Sequence, residues 1–181
     1  MNPPATVAGP DTRGIFALFP PSGFLAHSET VAAEQVPPPY SSLLVHEHHM
    51  TVTVEAFHHE PVDVKILEQV RGTNAYARKI LLVTRRTRRV VQFGLVRIHL
   101  QHCSPAVREE ILAGQTPLGR ILINHNVLRR IEPTSFLRCV PGPAMLEWFG
   151  LPEPRPTYGR QALIHCDGKP AIELLEIVAP V

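Results

Sequence analysis

The sequence predicts an α+β fold, a single antiparallel sheet with its helices grouped on one side. Three observations carry that expectation. Short apolar, β-rich segments follow one another through turn signals instead of alternating with helical patterns. Two helix-start signals, Ser104-Pro105 and Thr116-Pro117, fall close together in the second half of the chain. The C-terminal stretch reads as a hairpin closed by Asp167-Gly168-Lys169-Pro170.

Taken in order, residues 1–40 are rich in proline: Pro3, Pro4, Pro10, Pro20 and Pro21 precede the run Pro37-Pro38-Pro39. Proline lacks an N–H and fixes φ, so neither a central strand nor a helix interior is expected there. This part reads as an extended, partly disordered lead-in whose apolar patch 15–19 (IFALF) can dock on the body. Residues 41–181 then form the folded domain. Within it, residues 41–59 (SSLLVHEHHMTVTVEAFHH) leave two readings open. The Thr-Val alternation suits a strand, whereas Met50, Val54 and Phe57 are spaced for one face of a helix. Residues 62–70 (VDVKILEQV) alternate as a strand does. Residues 75–83 and 90–100 are apolar strands joined through the basic turn 84–89 (TRRTRR). Ser104 caps a short helix that begins with Pro105 and is closed by Gly114, and a second helix covers 118–123. Residues 127–140 read as a further strand, with 161–166 and 171–179 as the last hairpin.

The chain has 181 residues, 44% hydrophobic and 19% charged, which is enough for one real core in an ordinary globular class. A formal net charge of +2 is too small to predict nucleic-acid binding and suits a small anionic ligand. Cys103, Cys139 and Cys166 are odd in number and far apart, so neither a disulfide framework nor a zinc knuckle is indicated and a reduced compartment is the simplest reading. The N-terminus lacks the basic and apolar regions of a signal peptide, and no apolar run is long enough to span a bilayer. A cytoplasmic location is expected. No heptad or obvious apolar patch stands out, which favours a monomer.

Several clusters invite a chemical reading. His46, His48, His49, His58 and His59 are dense, and 46–50 (HEHHM) approaches the HExxH pattern, but Met50 stands where the second histidine ligand belongs. With no Cys or Asp nearby to complete a shell, ordinary hydrogen-bonded histidines outweigh a metal site. Arg85, Arg86, Arg88 and Arg89 lack interleaved aromatics for base stacking, so a solvated hairpin tip outweighs a nucleic-acid contact. Nucleophile elbow, Walker loop and dinucleotide motif are all missing. Two oddities remain. Glu173 and Glu176 lie in an apolar strand three residues apart, so one points to each face of the sheet, and a core-facing glutamate is costly unless paired. Arg78 is equally out of place in its apolar strand. An inward ion pair or a functional site explains both equally well on pattern alone.

These residues sit inside segments that resemble the chorismate lyase family: 77–82 (ARKILL), 116–120 (TPLGR), and Tyr158-Gly159-Arg160 running through 167–170 (DGKP) to Leu175-Glu176. The resemblance covers residues 43–181. It implies about six antiparallel strands with flanking helices, a ligand enclosed beneath flap-like segments, and elimination of pyruvate from chorismate to give 4-hydroxybenzoate, without cofactor or metal. It also implies a helix around Met50. Carried over position by position, Arg78 and the backbone amides of Met50 and Leu118 would hold the benzoate carboxylate, and Glu176 would bond the para oxygen. One position departs from the pattern. Enterobacterial members place a second arginine directly after the glycine equivalent to Gly94, and here Leu95 stands there. Arg97, next on the same face, is the expected substitute for holding the second carboxylate.

Chemically, a planar guanidinium such as Arg78 suits a carboxylate, and aromatisation of the ring drives the elimination. The expectation for Glu176 is an apolar pocket, a raised pKa and a role as acid at the ether oxygen. Two alternatives stand beside the lyase: the same pocket acting on another chorismate-derived or aromatic carboxylate, and a non-catalytic aromatic-acid sensor, since effector domains of transcription regulators use this fold. Residues 1–40 are too proline-rich for the helix-turn-helix such a regulator carries.

Overall fold

The computed structural model describes residues 13–181; the prolines at 3, 4 and 10 lie outside the described residues. Seven strands form one wholly antiparallel sheet in the order β1-β5-β6-β7-β4-β3-β2. They are β1 (Leu25–Val31), β2 (Val62–Arg71), β3 (Ala75–Thr84), β4 (Val90–His99), β5 (Arg129–Pro141), β6 (Thr157–Cys166) and β7 (Lys169–Val178). Six helices accompany them: α1 (Arg13–Leu18), α2 (Tyr40–Leu44), α3 (Met50–His58), α4 (Pro105–Ala113), α5 (Leu118–Asn124) and α6 (Pro143–Phe149). The expected α+β class with a single antiparallel sheet is the one present.

Local chemistry accounts for the helices that flank the ligand face. Ser104 accepts the Val107 amide at 3.4 Å, Pro105 opens α4, and Gly114 closes it in the left-handed region at φ 71°. At 41–59 the helical spacing prevails over the Thr-Val alternation from Met50 onward, because Met50 and Val54 share a buried face. Pro117 precedes α5, so its helical geometry starts at Leu118, two residues after the threonine.

Three expectations need correction. The sheet has seven strands rather than about six, because Leu25–Val31 within residues 13–40 joins it: β1 pairs along β5 from Leu25↔Pro141 to Val31↔Phe136. Those residues are therefore not an extended lead-in. Ile15 and Phe19 are buried in the core, and the sequence LAHSETV is an edge strand held by backbone pairing while its side chains face solvent. Helices also cover both faces of the sheet. α2, α3, α4 and α5 pack on one face, while Ile15 of α1, Phe19 just after it and Met145 of α6 pack with Leu81, Phe93 and Leu95 on the other. Nearly every residue of β3, β4 and β7 is buried, which requires a cover on each side. No helix among the described residues is long and apolar enough to cross a membrane.

A candidate site for an anionic ligand under two helices

Sheet register decides which side chains meet. Ile80, Gly94, Glu176 and Arg160 lie directly opposite one another across β3, β4, β7 and β6. Two residues along each strand, Arg78, Val96, Leu174 and Ala162 form the next row on the same face. Period-two alternation thus aims Arg78, Glu176 and Arg160 into one space. At Gly94 the missing side chain keeps the floor open, since a Cβ there would come 3.2 Å from Ile80 Cγ1. The roof is the start of α3 and the start of α5. Together they enclose a cavity of about 40 Å³ lined by Met50, Arg78, Gln92, Leu118, Arg160 and Glu176, among others. At roughly 10–15 Å³ per water it would hold about three waters.

Arg78 is fully buried, and none of its three guanidinium nitrogens has a hydrogen-bond partner among the described residues. Desolvation pushes its pKa below the ordinary arginine value, opposed by the neighbouring Tyr76. The Oε1 of Gln92, in the same cavity, is also buried and without a donor. A buried guanidinium with no counter-charge costs several kcal/mol, which makes the cavity a candidate site for an anion.

Glu176 does not have the apolar surroundings expected of it. Nε of Arg160 donates to its Oε2 at 2.8 Å, both side chains being almost completely buried, while Oε1 accepts no hydrogen bond among the described residues. The remaining N–H groups of Arg160 donate to the carbonyls of His46 at 2.8 Å and His48 at 3.0 Å, and to Leu44 O at 3.4 Å. One arginine therefore holds both the carboxylate and the loop leading into α3. The two roof helices are also tied to each other, through the ion pair of Glu55 with Arg120.

His49, the residue before α3, is buried at the edge of the cavity. Nε of Arg129 donates to its Nε2 at 2.5 Å. Burial first, then the charges of Arg129, Arg160 and His48, lower its pKa to about 4, so the ring is neutral at pH 7.

Four of the five site residues read from the sequence, Arg78, Met50, Leu118 and Glu176, line this one cavity. The fifth does not. Arg97 lies on the opposite face, as alternation from Gly94 requires, with its Nη1 3.6 Å from Glu173 Oε2, so it cannot stand in for the arginine that Leu95 replaces. Sequence reasoning missed Arg160, Gln92 and His49. Arg160 carried a usable signal, a charge in a strand otherwise apolar on that face. The histidine cluster assembles no metal shell: among the described residues no group of three or more His, Cys, Asp or Glu side chains is placed to hold an ion. In the turn 84–89, Glu60 accepts the Thr87 amide at 2.7 Å and its hydroxyl at 2.9 Å, and Arg85 pairs with Asp63 at 2.7 Å.

No family model matches the chain, and no curated protein matches it either. Among solved structures it is similar to PhnF from Mycobacterium smegmatis, with 11% identity and a TM-score of 0.54 over 72% of this chain and 63% of that one. The chain thus spans less than two thirds of PhnF. It also aligns with a ligand-binding domain assigned to a GntR-family transcriptional regulator from Bordetella bronchiseptica, at 13% identity and a TM-score of 0.48, over 65% of this chain and 85% of that domain. At 11% identity the likeness to PhnF is one of fold, the chorismate lyase-like α+β arrangement.

Proposed function

We propose that the cavity under α3 and α5 binds an aromatic carboxylate. The observation that carries this reading is the Arg78 guanidinium, fully buried and without a partner among the described residues. Its planar fork would take both oxygens of a ring carboxylate, with the first-turn amides of α3 and α5, at Met50 and Leu118, as further donors. Val96, Leu174 and Ile164 give the ring apolar walls, and Oε1 of Glu176 is free to accept from a para hydroxyl. A ring acid exceeds the present 40 Å³, so the roof helices part to admit it and close again.

Two uses of such a site are consistent with the fold. In a non-catalytic sensor, closure of the roof on the ligand is the whole response. The second use is chorismate pyruvate-lyase, favoured by the convergence of Arg78, Met50, Leu118 and Glu176 on one cavity. In that reaction the C3–O bond to the enolpyruvyl group breaks, the C4 proton leaves the ring, and the departing enol takes up a proton to become pyruvate. No redox partner enters the balance. Arg78 would orient the ring, and the enclosed site would exclude water. Acid assistance by Glu176 would have to operate beside the charge of Arg160.

One experiment separates the readings. Purified protein is incubated with chorismate while 4-hydroxybenzoate and pyruvate are quantified, and binding of 4-hydroxybenzoate is measured by calorimetry, each beside Arg78→Met. Equimolar products that disappear in the variant establish the lyase. Arg78-dependent binding with intact chorismate establishes the sensor. Absence of Arg78-dependent binding removes both.

A further inference from the structure

The reading above leaves unassigned the second anionic group of a ligand such as chorismate, since Leu95 and Arg97 both lie on the wrong face. Beside the enclosed cavity runs an open groove of about 670 Å³, between the loop before α3 and the turn joining α5 to β5. The two spaces share His49 and Ile131 as walls, so these two side chains stand between them.

Charge around that junction does not balance. Glu176 neutralises Arg160, and Arg78 is unpaired. Arg129, which lines the groove, has no carboxylate partner among the described residues: its Nε donates to His49 Nε2 at 2.5 Å and its Nη1 to Val127 O at 3.0 Å. Neutral His49 accepts that hydrogen bond without cancelling the charge. Its neighbour Arg130 is exposed and already paired with Glu132 at 2.9 Å. Glu47 also lines the groove but pairs with neither arginine, so two guanidiniums remain without a carboxylate partner among the described residues, Arg78 inside the cavity and Arg129 in the groove.

We infer that Arg129 is a specificity-determining residue that receives a second carboxylate, so that the site selects dicarboxylates carrying one anion on the ring and one on a side arm reaching past His49. This rests on the aromatic-carboxylate reading and deepens it. The arm would lie along His49 and Ile131, with Nη2 of Arg129, which makes no hydrogen bond among the described residues, free to donate to it.

The test compares two stable probes by calorimetry, 4-hydroxy-3-methoxybenzoate and 3-(carboxymethoxy)-4-hydroxybenzoate, which differ only by the carboxylate on the arm. The wild-type protein should prefer the diacid by about tenfold or more. Arg129→Gln keeps a donor for His49 but removes the charge, and the ratio of affinities should fall to about one. Arg129→Lys should keep part of the preference and Arg130→Ala nearly all of it. Equal affinity of the wild type for the two probes, a preference that survives in Arg129→Gln, or an equal loss in Arg130→Ala would overturn the inference while leaving the cavity reading intact. Failure of the wild type to bind either acid would overturn both.

Discussion

Arg160 and Glu176 face each other directly across β6 and β7, and Nε of the arginine donates to Oε2 of the glutamate at 2.8 Å in an environment closed to solvent. The pair is joined to the roof of the cavity, because the same guanidinium holds the carbonyls of Leu44, His46 and His48. Leu44 ends α2, and the short loop after it, which carries the other two carbonyls, leaves Val45 exposed. Its position therefore depends on a charge that itself depends on Glu176.

Removing one partner of this pair should cost far more than removing both. Arg160→Ala strands a buried carboxylate and frees three carbonyls, so unfolding free energy should fall by about 3–5 kcal/mol. The double variant Arg160→Met with Glu176→Leu replaces the pair by apolar volume and should lie closer to the wild type than the single variant does. Urea denaturation of the three proteins checks this; a single variant within about 1 kcal/mol of wild type would mean that the pair bears little on stability.

Arg78 should behave in the opposite way. Its charge is buried with no counter-charge, so Arg78→Met should leave the free protein as stable or raise its stability by about 1–4 kcal/mol. The same substitution should erase the stabilisation by 4-hydroxybenzoate, expected near 2.7 kcal/mol at about a hundredfold excess over Kd. Thermal melts with and without the acid read both effects. A strongly destabilised Arg78→Met would show that the guanidinium serves the fold and not a ligand.

The contrast between these two arginines also explains what the sequence could disclose. Arg78 was legible because a charge in an apolar strand is anomalous in itself, and alternation placed Glu173 and Glu176 on opposite faces, but only the family resemblance picked Glu176 as the inward one. The partner of Glu176 was not legible, because pairing Gly159-Arg160 opposite Ile177-Glu176 requires strand register, which depends on contacts distant in sequence. The same limit misassigned Arg97: its face relative to Leu95 followed from alternation, but which face held the cavity did not. β1 was invisible for another reason. Its side chains are mostly exposed, so LAHSETV shows no apolar period, and its place in the sheet is set by backbone hydrogen bonds to β5. In α6 the Gly142-Pro143 start signal was present, but seven residues are too few to show a helical period.

Stability should depend on pH through His49. Its pKa of about 4 in the fold lies below the unfolded value of 6.5, so the unfolded chain binds the extra proton between those limits. Stability is therefore full above about pH 6.5, declines as pH falls toward 4, and levels off below, with a total change on the order of 3 kcal/mol. His46 and His58, whose pKa values burial also lowers, add to the slope in the same direction. His49→Gln cannot titrate and should flatten the dependence without abolishing it. Denaturation midpoints of both proteins at steps from pH 4 to 7 check this; parallel curves would exclude His49 as a source.

Closure of the roof should be sensitive to the one glycine where α3 and α5 touch. A Cβ on Gly119 would come 3.0 Å from Thr51 Oγ1 and 3.1 Å from His49 Cβ, so Gly119→Ala presses the two helices apart by a few tenths of an ångström. Alanine also favours the helix, by at most about 1 kcal/mol, which offsets part of that strain. The net change in stability should be small because the two effects oppose each other. Ligand kinetics should not cancel in this way, since the strain is present when the roof is closed and relieved when it is open. Gly119→Ala should therefore bind and release 4-hydroxybenzoate faster by about the same factor, with affinity nearly unchanged. Stopped-flow measurement of both rates decides the point. Unchanged rates in a variant of normal stability would mean that the ligand enters by some route other than the parting of α3 from α5.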